Sequence, residues 1–432
     1  MGVDLGLMIN ADGVFRRQRF PAKGEMMQPF IQSIRLSGLL SYPPDAEAIE
    51  LTPLNVLIGP NASGKSNLIE AIELLHATPT KFADAIRDGG GVREWLWKGE
   101  QQQQPATIET IVTGDHRMSI PDLRYKLTFV ASSQRVEIID EVIEEPQKRH
   151  DDADDVYFYY RYDGGRPYIN TFQSTTPPPD GGSSTLNRVQ RRLTRDSLIP
   201  DESVLSQRKD PELYPELTWL GRQHQKFLTF REWNFGRYGA LRQPQPTDLP
   251  NDVLLPDSRN LAMILNAIEH SDAGLEFNRL LSRFLPRYHR FSTSLQGGTV
   301  QLNLHESGLK TPVPATRLSD GTLRFMAILG LLLSPTLPPL ICIEEPELGL
   351  HPDAVCILAE LLESASERTQ LIVSTHSDTL VSALTEDANS VLVCEYRGGT
   401  QLSRIDPEKL EHWLDQYQLG EIWRMGELGG NP

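Results

Sequence analysis

Cysteine is scarce in this chain, with 3 in 432 residues. Cys342, Cys356 and Cys394 lack the close spacing of a zinc site, and an odd count in so long a chain offers no disulfide framework. Cys342 and Cys394 fall in apolar runs and are expected to be small core residues. Long hydrophobic runs are also missing. No stretch approaches the roughly 18 apolar residues of a spanning helix, and residues 1–27 lack the apolar heart of a secretory signal. A cytoplasmic protein with no membrane partner is the expectation. Positive charge is in deficit, 42 Lys and Arg against 58 Asp and Glu, for a formal net charge of −16. Such a field repels a phosphate backbone and argues against a protein that wraps nucleic acid. Sustained heptads are absent, which excludes a long coiled-coil arm, and no internal repeat is found. With 39% hydrophobic residues the chain has the means to pack. Its length predicts two or three domains, or one domain with large insertions.

What is present centres on residues 59–66, Gly59-Pro60-Asn61-Ala62-Ser63-Gly64-Lys65-Ser66. An apolar strand (54–58) precedes them and a helical stretch (65–78) follows, the context in which a P-loop works. Glycines let backbone N–H groups close around phosphate oxygens, and the helix start adds partial positive charge. Lys65 would reach the β and γ phosphates, and the Ser66 hydroxyl would hold Mg2+. Binding of a nucleoside triphosphate is therefore expected.

Residues 339–352 add a second element, Pro-Leu-Ile-Cys-Ile-Glu344-Glu345-Pro346-Glu347 running on to His351-Pro352. Four apolar residues before two carboxylates describe a buried parallel strand whose C-terminal end faces the ligand. Two adjacent acids can divide the labour: Glu344 organises Mg2+ and its waters, and Glu345 acts as general base on the attacking water. A third strand, 371–374, ends in Thr375, His376 and Ser377. A neutral histidine there can meet a γ-phosphate or its attacking water. Upstream, Leu318-Ser319-Asp320-Gly321-Thr322 opens an apolar helix with Ser319 as N-cap.

Ser319 and Glu344 are 25 residues apart, and Glu345 and His376 are 31 apart, room for a helix and its turns each time. This ordered set resembles the ABC-type ATPase heads, with Walker A, signature, Walker B and switch histidine in that order. Within them it is similar to the RecF/SMC-like and OLD-like AAA ATPases. Gly64-Lys65-Ser66-Asn67, the Ser319 to Thr322 run, Glu344 to Glu347 with His351-Pro352, and Ser374 to Ser377 are in that group's style. So are Arg93 to Gly99, Ile422-Trp423, Gly426 and Gly429-Gly430. The resemblance covers about 28–100 and 258–432.

It implies an α/β P-loop NTPase fold with an ABC-type head, and the pattern of the long middle region adds an inserted antiparallel β lobe and a helical subdomain to the expected fold. ATP and Mg2+ are the implied ligands. Gly59 to Asn67 form the ATP cradle, Ser66 and Glu344 hold the metal, and Glu345 and His376 are catalytic. Two copies would sandwich ATP between the P-loop of one and Ser319, Asp320 and Gly321 of the other; oligomer order beyond the dimer stays open. Three departures stand out. Glu344 replaces the usual Asp, Asp320 stands where glycine is common and must point away from the triphosphate or act as a local cap, and no glutamine-loop residue is evident. Gln101 to Gln104 read as a solvated linker.

The expected layout is a tail (1–27), the first part of the head (28–100, with strands at 28–40 and 49–58), an antiparallel lobe (101–175), a helical insertion (176–294) and the rest of the head (295–432). Alternation between 107 and 172 predicts the lobe, and 175–184 reads as a loop. Helical character is expected from about 186 to 290, clearest over 261–268 and 277–284, and Arg397 to Thr400 reads as a hairpin turn. Lys65 and Ser319 are 254 residues apart, too many for a transporter ATPase. The 56 residues after His376 are too few for the TOPRIM nuclease of OLD-like proteins; Glu395 is taken as a strand-end carboxylate. Arg188, Arg191, Arg192 and Arg195, at helical spacing, and Arg283, Arg287 and Arg290 are candidate DNA contacts. The acidic run 151–155 reads as a solvated loop. The expected function is an ATPase switch in antiphage defence or DNA maintenance with a protein effector. The alternatives are a DNA-stimulated repair ATPase and an ATP-dependent scaffold holding a partner protein.

Overall fold

The computed structural model describes residues 5–9 and 15–19 as backbone, and residues 27–99, 104–149, 155–163, 165–174 and 186–430. Its centre is a six-stranded sheet in the order Leu228–Phe230, Leu340–Glu344, Gln370–Ser374, Leu54–Ile58, Val391–Tyr396, Thr400–Arg404. The first five strands run parallel and the last turns back antiparallel, closing the hairpin expected at Arg397 to Thr400. Side chains alternate between two cores. Val56, Ile341, Ile343 and Val373 face one, and Leu57, Leu340, Cys342 and Ile372 face the other. Burial on both faces is why these strands read as continuous apolar runs instead of alternating ones.

The first core is closed by helices Leu261–Glu269, Ala273–Phe284, Asp320–Leu332 and Pro352–Ser366. The second lies under helix Lys65–Ala77 and an eight-stranded antiparallel sheet. That lobe runs in the order Leu186–Arg192, Arg166–Ser174, Phe158–Asp163, Arg135–Glu144, Leu123–Ser132, Ala106–Val112, Ile31–Ser37, Ile49–Glu50. Its first-built strand thus comes from ahead of the P-loop. The segment 49–58 is two strands, because the Asn55 amide side chain accepts from the Thr52 N–H and donates to the Thr52 carbonyl around Pro53 and so turns the chain between them. Ahead of these, Leu5–Ile9 pairs antiparallel with Phe15–Arg19.

The helical expectation for 186–290 is corrected at both ends and in its middle. Leu186–Arg192 is an edge strand in seven-pair register with Arg166–Ser174. Strand pairing overrides a helical spacing of arginines. Leu228–Phe230 is the edge strand of the central sheet, and Tyr288–Gln296 pairs with Thr299–Glu306 in a smaller antiparallel sheet. The helices over Leu261–Glu269 and Ala273–Phe284 form as expected. The loop 175–184, Gln101 to Gln103 and Asp151 to Asp154 lie outside the described residues.

Candidate functional site at the strand ends

Four parallel strands end side by side, and their C-terminal ends carry the site. Glu344 is level with Ser374, and Ser374 with Leu57, so the P-loop, the paired acids and the histidine converge at one rim. The P-loop itself is tightly braced. Gly59 and Gly64 have φ of +143° and +106°, and a Cβ would lie 2.1 Å from the Cys394 carbonyl oxygen at Gly59 and 2.1 Å from Thr400 Oγ1 at Gly64. Only glycine fits. The Ser63 carbonyl accepts from Thr400 Oγ1 (2.8 Å) and Cys394 Sγ (3.1 Å), and the Gly64 carbonyl from Tyr42 (3.2 Å). Asn67 donates to Ser41 Oγ at 2.6 Å. Asn61, Ala62 and Ser66 are exposed at the mouth. The C-terminal Gly430 also touches this turn, 3.3 Å from Gly59 Cα for an added Cβ, and its N–H donates to Glu395. Glu395 is the strand-end carboxylate expected.

Lys65 folds back over the loop, donating to the carbonyls of Gly59 (2.7 Å) and Pro60 (3.0 Å). Burial pulls its pKa below the usual lysine value against the opposing fields of Cys394, Glu345 and Glu344. Three buried oxygens here have no partner among the described residues: Ser63 Oγ, Glu344 Oε1 and Glu347 Oε2. Glycine amides, an ammonium, the Ser66 hydroxyl and a carboxylate with a spare oxygen are the donor set a magnesium triphosphate requires, so these residues fit that ligand.

Glu345 adopts φ +44°, a left-handed conformation that costs a non-glycine residue about 1 kcal/mol. Its N–H still donates to the Ser374 carbonyl (3.0 Å), and its own carbonyl accepts from Arg324 (3.1 Å). The twist leaves the carboxylate near-half exposed at the rim, with Oε1 3.8 Å from His376 Nε2. Burial lowers the His376 pKa, Lys65 lowers it further and Glu345 opposes, so the ring is neutral at pH 7.

Glu347 was not foreseen. Its Oε1 accepts from Thr375 Oγ1 (2.6 Å) and from the His376 backbone N–H (3.1 Å), so the loop after the acids fixes the loop that carries the histidine. Burial pushes the Glu347 pKa above the ordinary carboxylate range.

Asp320 is explained by Arg242. This buried arginine donates to the carbonyls of Phe235, Ala315 and Leu318 and to Asp320 Oδ1. The aspartate therefore faces its own fold. Ser319 caps the helix as expected, accepting from the Thr322 N–H at 3.1 Å, and Ser319 and Asp320 are exposed. Gly321 packs so close to the loop after the acids that a Cβ would meet the Gly349 carbonyl at 2.7 Å.

A second unforeseen residue follows the edge strand Leu228–Phe230, beside Glu344, where no glutamine was evident. Arg231 lies 3.4 Å from Glu344 Oε2 and also contacts Glu70 (2.8 Å) and Glu73 (3.2 Å) on the P-loop helix. Among the other arginines singled out, Arg188 pairs with Glu216, Arg283 with Glu360 and Arg287 with Glu306. The side chain of Arg195 lies outside the described residues. Arg191 and Arg192, on the edge of the lobe, instead border a hollow of about 370 Å³ with Arg208.

Fold and site together define a P-loop ATPase head of the ABC type with an antiparallel lobe. A family described as "AAA domain, putative AbiEii toxin, Type IV TA system" matches residues 54–382, well over half of the chain, and the chain belongs to that family. It is 44% identical over 73 residues to the Old nuclease of Escherichia phage P2, covering 17% of this chain and 12% of that protein. It is 40% identical over 85 residues to the DNA replication and repair protein RecF of Gloeobacter violaceus, covering 19% of this chain and 20% of that protein. The chain therefore spans only a small part of these relatives. Among solved structures it is similar to an SmcHead bound to the C-winged helix domain of ScpA, with a TM-score of 0.54 and 14% identity over 88% of this chain and 99% of that one. An Smc head with an extended coiled coil derived from Pyrococcus furiosus gives 0.51, also at 14% identity, over 90% of this chain and 99% of that one. At such identity the likeness is one of fold. No helix among the described residues is long and apolar enough to cross a membrane.

Proposed function

We propose that this chain binds and hydrolyses ATP, pairs with a second copy around the nucleotide, and acts as a switch for a protein effector in antiphage defence or DNA maintenance. One observation carries the catalytic part: a neutral His376 and the Glu345 carboxylate 3.8 Å apart, on adjacent strand ends beside Lys65. Gly59 to Asn67 cradle the triphosphate, and Lys65 moves from the Gly59 and Pro60 carbonyls onto the β and γ phosphates. Mg2+, held by Ser66 and Glu344, would neutralise the charge that builds between those phosphates. Glu345 takes the proton of the attacking water, and His376 donates to the γ-phosphate and so registers its presence. The Ser319-Asp320-Gly321 helix start, with Ser319 and Asp320 exposed, offers N–H donors to the γ-phosphate of a partner copy. That is why closure requires ATP and hydrolysis releases it.

The test is steady-state ATP turnover with and without duplex and single-stranded DNA, with Glu345→Gln as the blank. Turnover abolished in that variant supports the assignment; parental turnover refutes it. A second reading, a DNA-stimulated repair ATPase, is favoured by Arg191, Arg192 and Arg208 around one hollow. Strong stimulation by DNA, lost on replacing these arginines, selects it over a protein-gated switch.

A further inference from the structure

Arg231 ties the strand that carries Glu344 to the helix that the P-loop opens. It leaves the edge strand beside Glu344, and its guanidinium touches three carboxylates: Glu344, and Glu70 and Glu73 on the helix the P-loop opens. Nε faces Glu344 Oε2, while Oε1 of the same carboxylate is buried and unpartnered among the described residues. Carboxylates at this spacing without their cation would repel one another and attract another cation.

We propose that Arg231 is the resident countercation of the Glu344 carboxylate, and that a divalent cation reaches Glu344 only by competing with it. Arg231 is thus a positioning residue that sets the metal threshold of the site. A divalent cation without nucleotide brings too little binding energy to displace a guanidinium held by three carboxylates. With triphosphate oxygens completing its shell, it can take Glu344 while Arg231 stays on Glu70 and Glu73. Metal and nucleotide then load together. The same segment runs from Arg231 through Trp233 and Phe235, which lie under the Arg324 guanidinium, to Arg242 on Asp320. Release of Glu344 therefore bears on the helix start that would face a partner copy.

This inference rests on the ATP-site reading, and the test separates the two. Mn2+ binding to the full chain without nucleotide is titrated by electron paramagnetic resonance, alongside binding of a fluorescent ATP analogue with Mg2+. Arg231→Ala should bind Mn2+ alone on the order of tenfold more tightly than the parent, a difference worth about 1.4 kcal/mol. Arg231→Lys, which keeps a charge, should fall between them. Adding Glu344→Gln to Arg231→Ala should remove the gain. Equal Mn2+ affinity in parent and Arg231→Ala, with the ATP analogue bound normally, overturns the role of Arg231 and leaves the ATP site standing. A gain that survives Glu344→Gln places the metal on Glu70 and Glu73 and also overturns it. If the parent does not bind the ATP analogue, the site reading itself fails. Should Arg231→Ala not fold, Arg231→Lys and Glu344→Gln carry the comparison, and unchanged Mn2+ affinity in Arg231→Lys counts against the proposal.

Discussion

Glu347 offers a sharp test of how the site is held, because one of its oxygens does two things at once. Oε1 accepts from the Thr375 hydroxyl at 2.6 Å and from the His376 N–H at 3.1 Å, while Oε2 is buried without a partner among the described residues. Glu347→Gln keeps an acceptor where two donors need one and swaps the stranded oxygen for an amide nitrogen. It also removes a charge that burial disfavours. Its stability should match the parent within about 1 kcal/mol. Glu347→Ala strands both donors, at about 1–3 kcal/mol each where water cannot reach them, for a loss of about 2–6 kcal/mol. More tellingly, the Ala variant frees the loop bearing His376. ATP turnover, measured at saturating nucleotide and at a temperature where both variants are folded, should fall about a hundredfold in Glu347→Ala, the lower range for a misplaced proton-handling group. In Glu347→Gln it should stay within about threefold. Nucleotide affinity should change little in either, since Lys65 and the P-loop do not touch Glu347. Equal turnover in the two variants would refute the claim that this carboxylate positions His376.

Other consequences follow from the same geometry. Gly64→Ala drives a Cβ into Thr400 Oγ1 at 2.1 Å with φ at +106°; stability should drop by about 3 kcal/mol with loss of ATP binding, and a variant that melts and binds like the parent contradicts the cradle. Lys65→Ala should abolish ATP binding in a fluorescence titration without changing the far-ultraviolet circular dichroism; normal affinity contradicts the P-loop assignment. His224, wholly buried against Tyr125 and Phe227, has its pKa pushed down to about 3 by burial. Its folded pKa lies below the unfolded value near 6.5, so its contribution is full above that value and declines as pH falls toward 3, by about 2 kcal/mol at pH 5. Denaturant unfolding of parent and His224→Gln should show their stability difference shifting by that amount between pH 7.5 and 5, and a constant difference refutes it.

The site was legible wherever chemistry and local structure share one stretch of chain. The P-loop, the acids after 340–343 and the histidine after 371–374 each combine a buried strand with the residues that follow it, so period and motif reinforce each other. Arg231 and Glu347 escaped because their meaning lies in contacts made across the fold: Arg231 meets Glu344 only because a three-residue edge strand, too short to show a period, pairs with Leu340–Glu344. Arg242 likewise reaches Asp320 across 78 residues of chain. In the lobe, alternation announced the strands between 106 and 174, but Leu186–Arg192 carries arginines that fit a helical spacing as well as a strand. Only its pairing with Arg166–Ser174 decides the matter. The stretch 28–40 reads as a strand, yet nothing local says that its strand Ile31–Ser37 joins the lobe instead of the parallel sheet.

The central claim is ATP-dependent pairing of two heads. Its most direct test is the molar mass of the Glu345→Gln variant of this chain, measured by light scattering during size exclusion, with and without saturating ATP and Mg2+. The account predicts a mass that doubles with ATP and returns to a single chain when Ser319→Arg is added to block the partner's helix start. A single-chain mass under saturating ATP, with binding of the nucleotide demonstrated in the same sample, would contradict it.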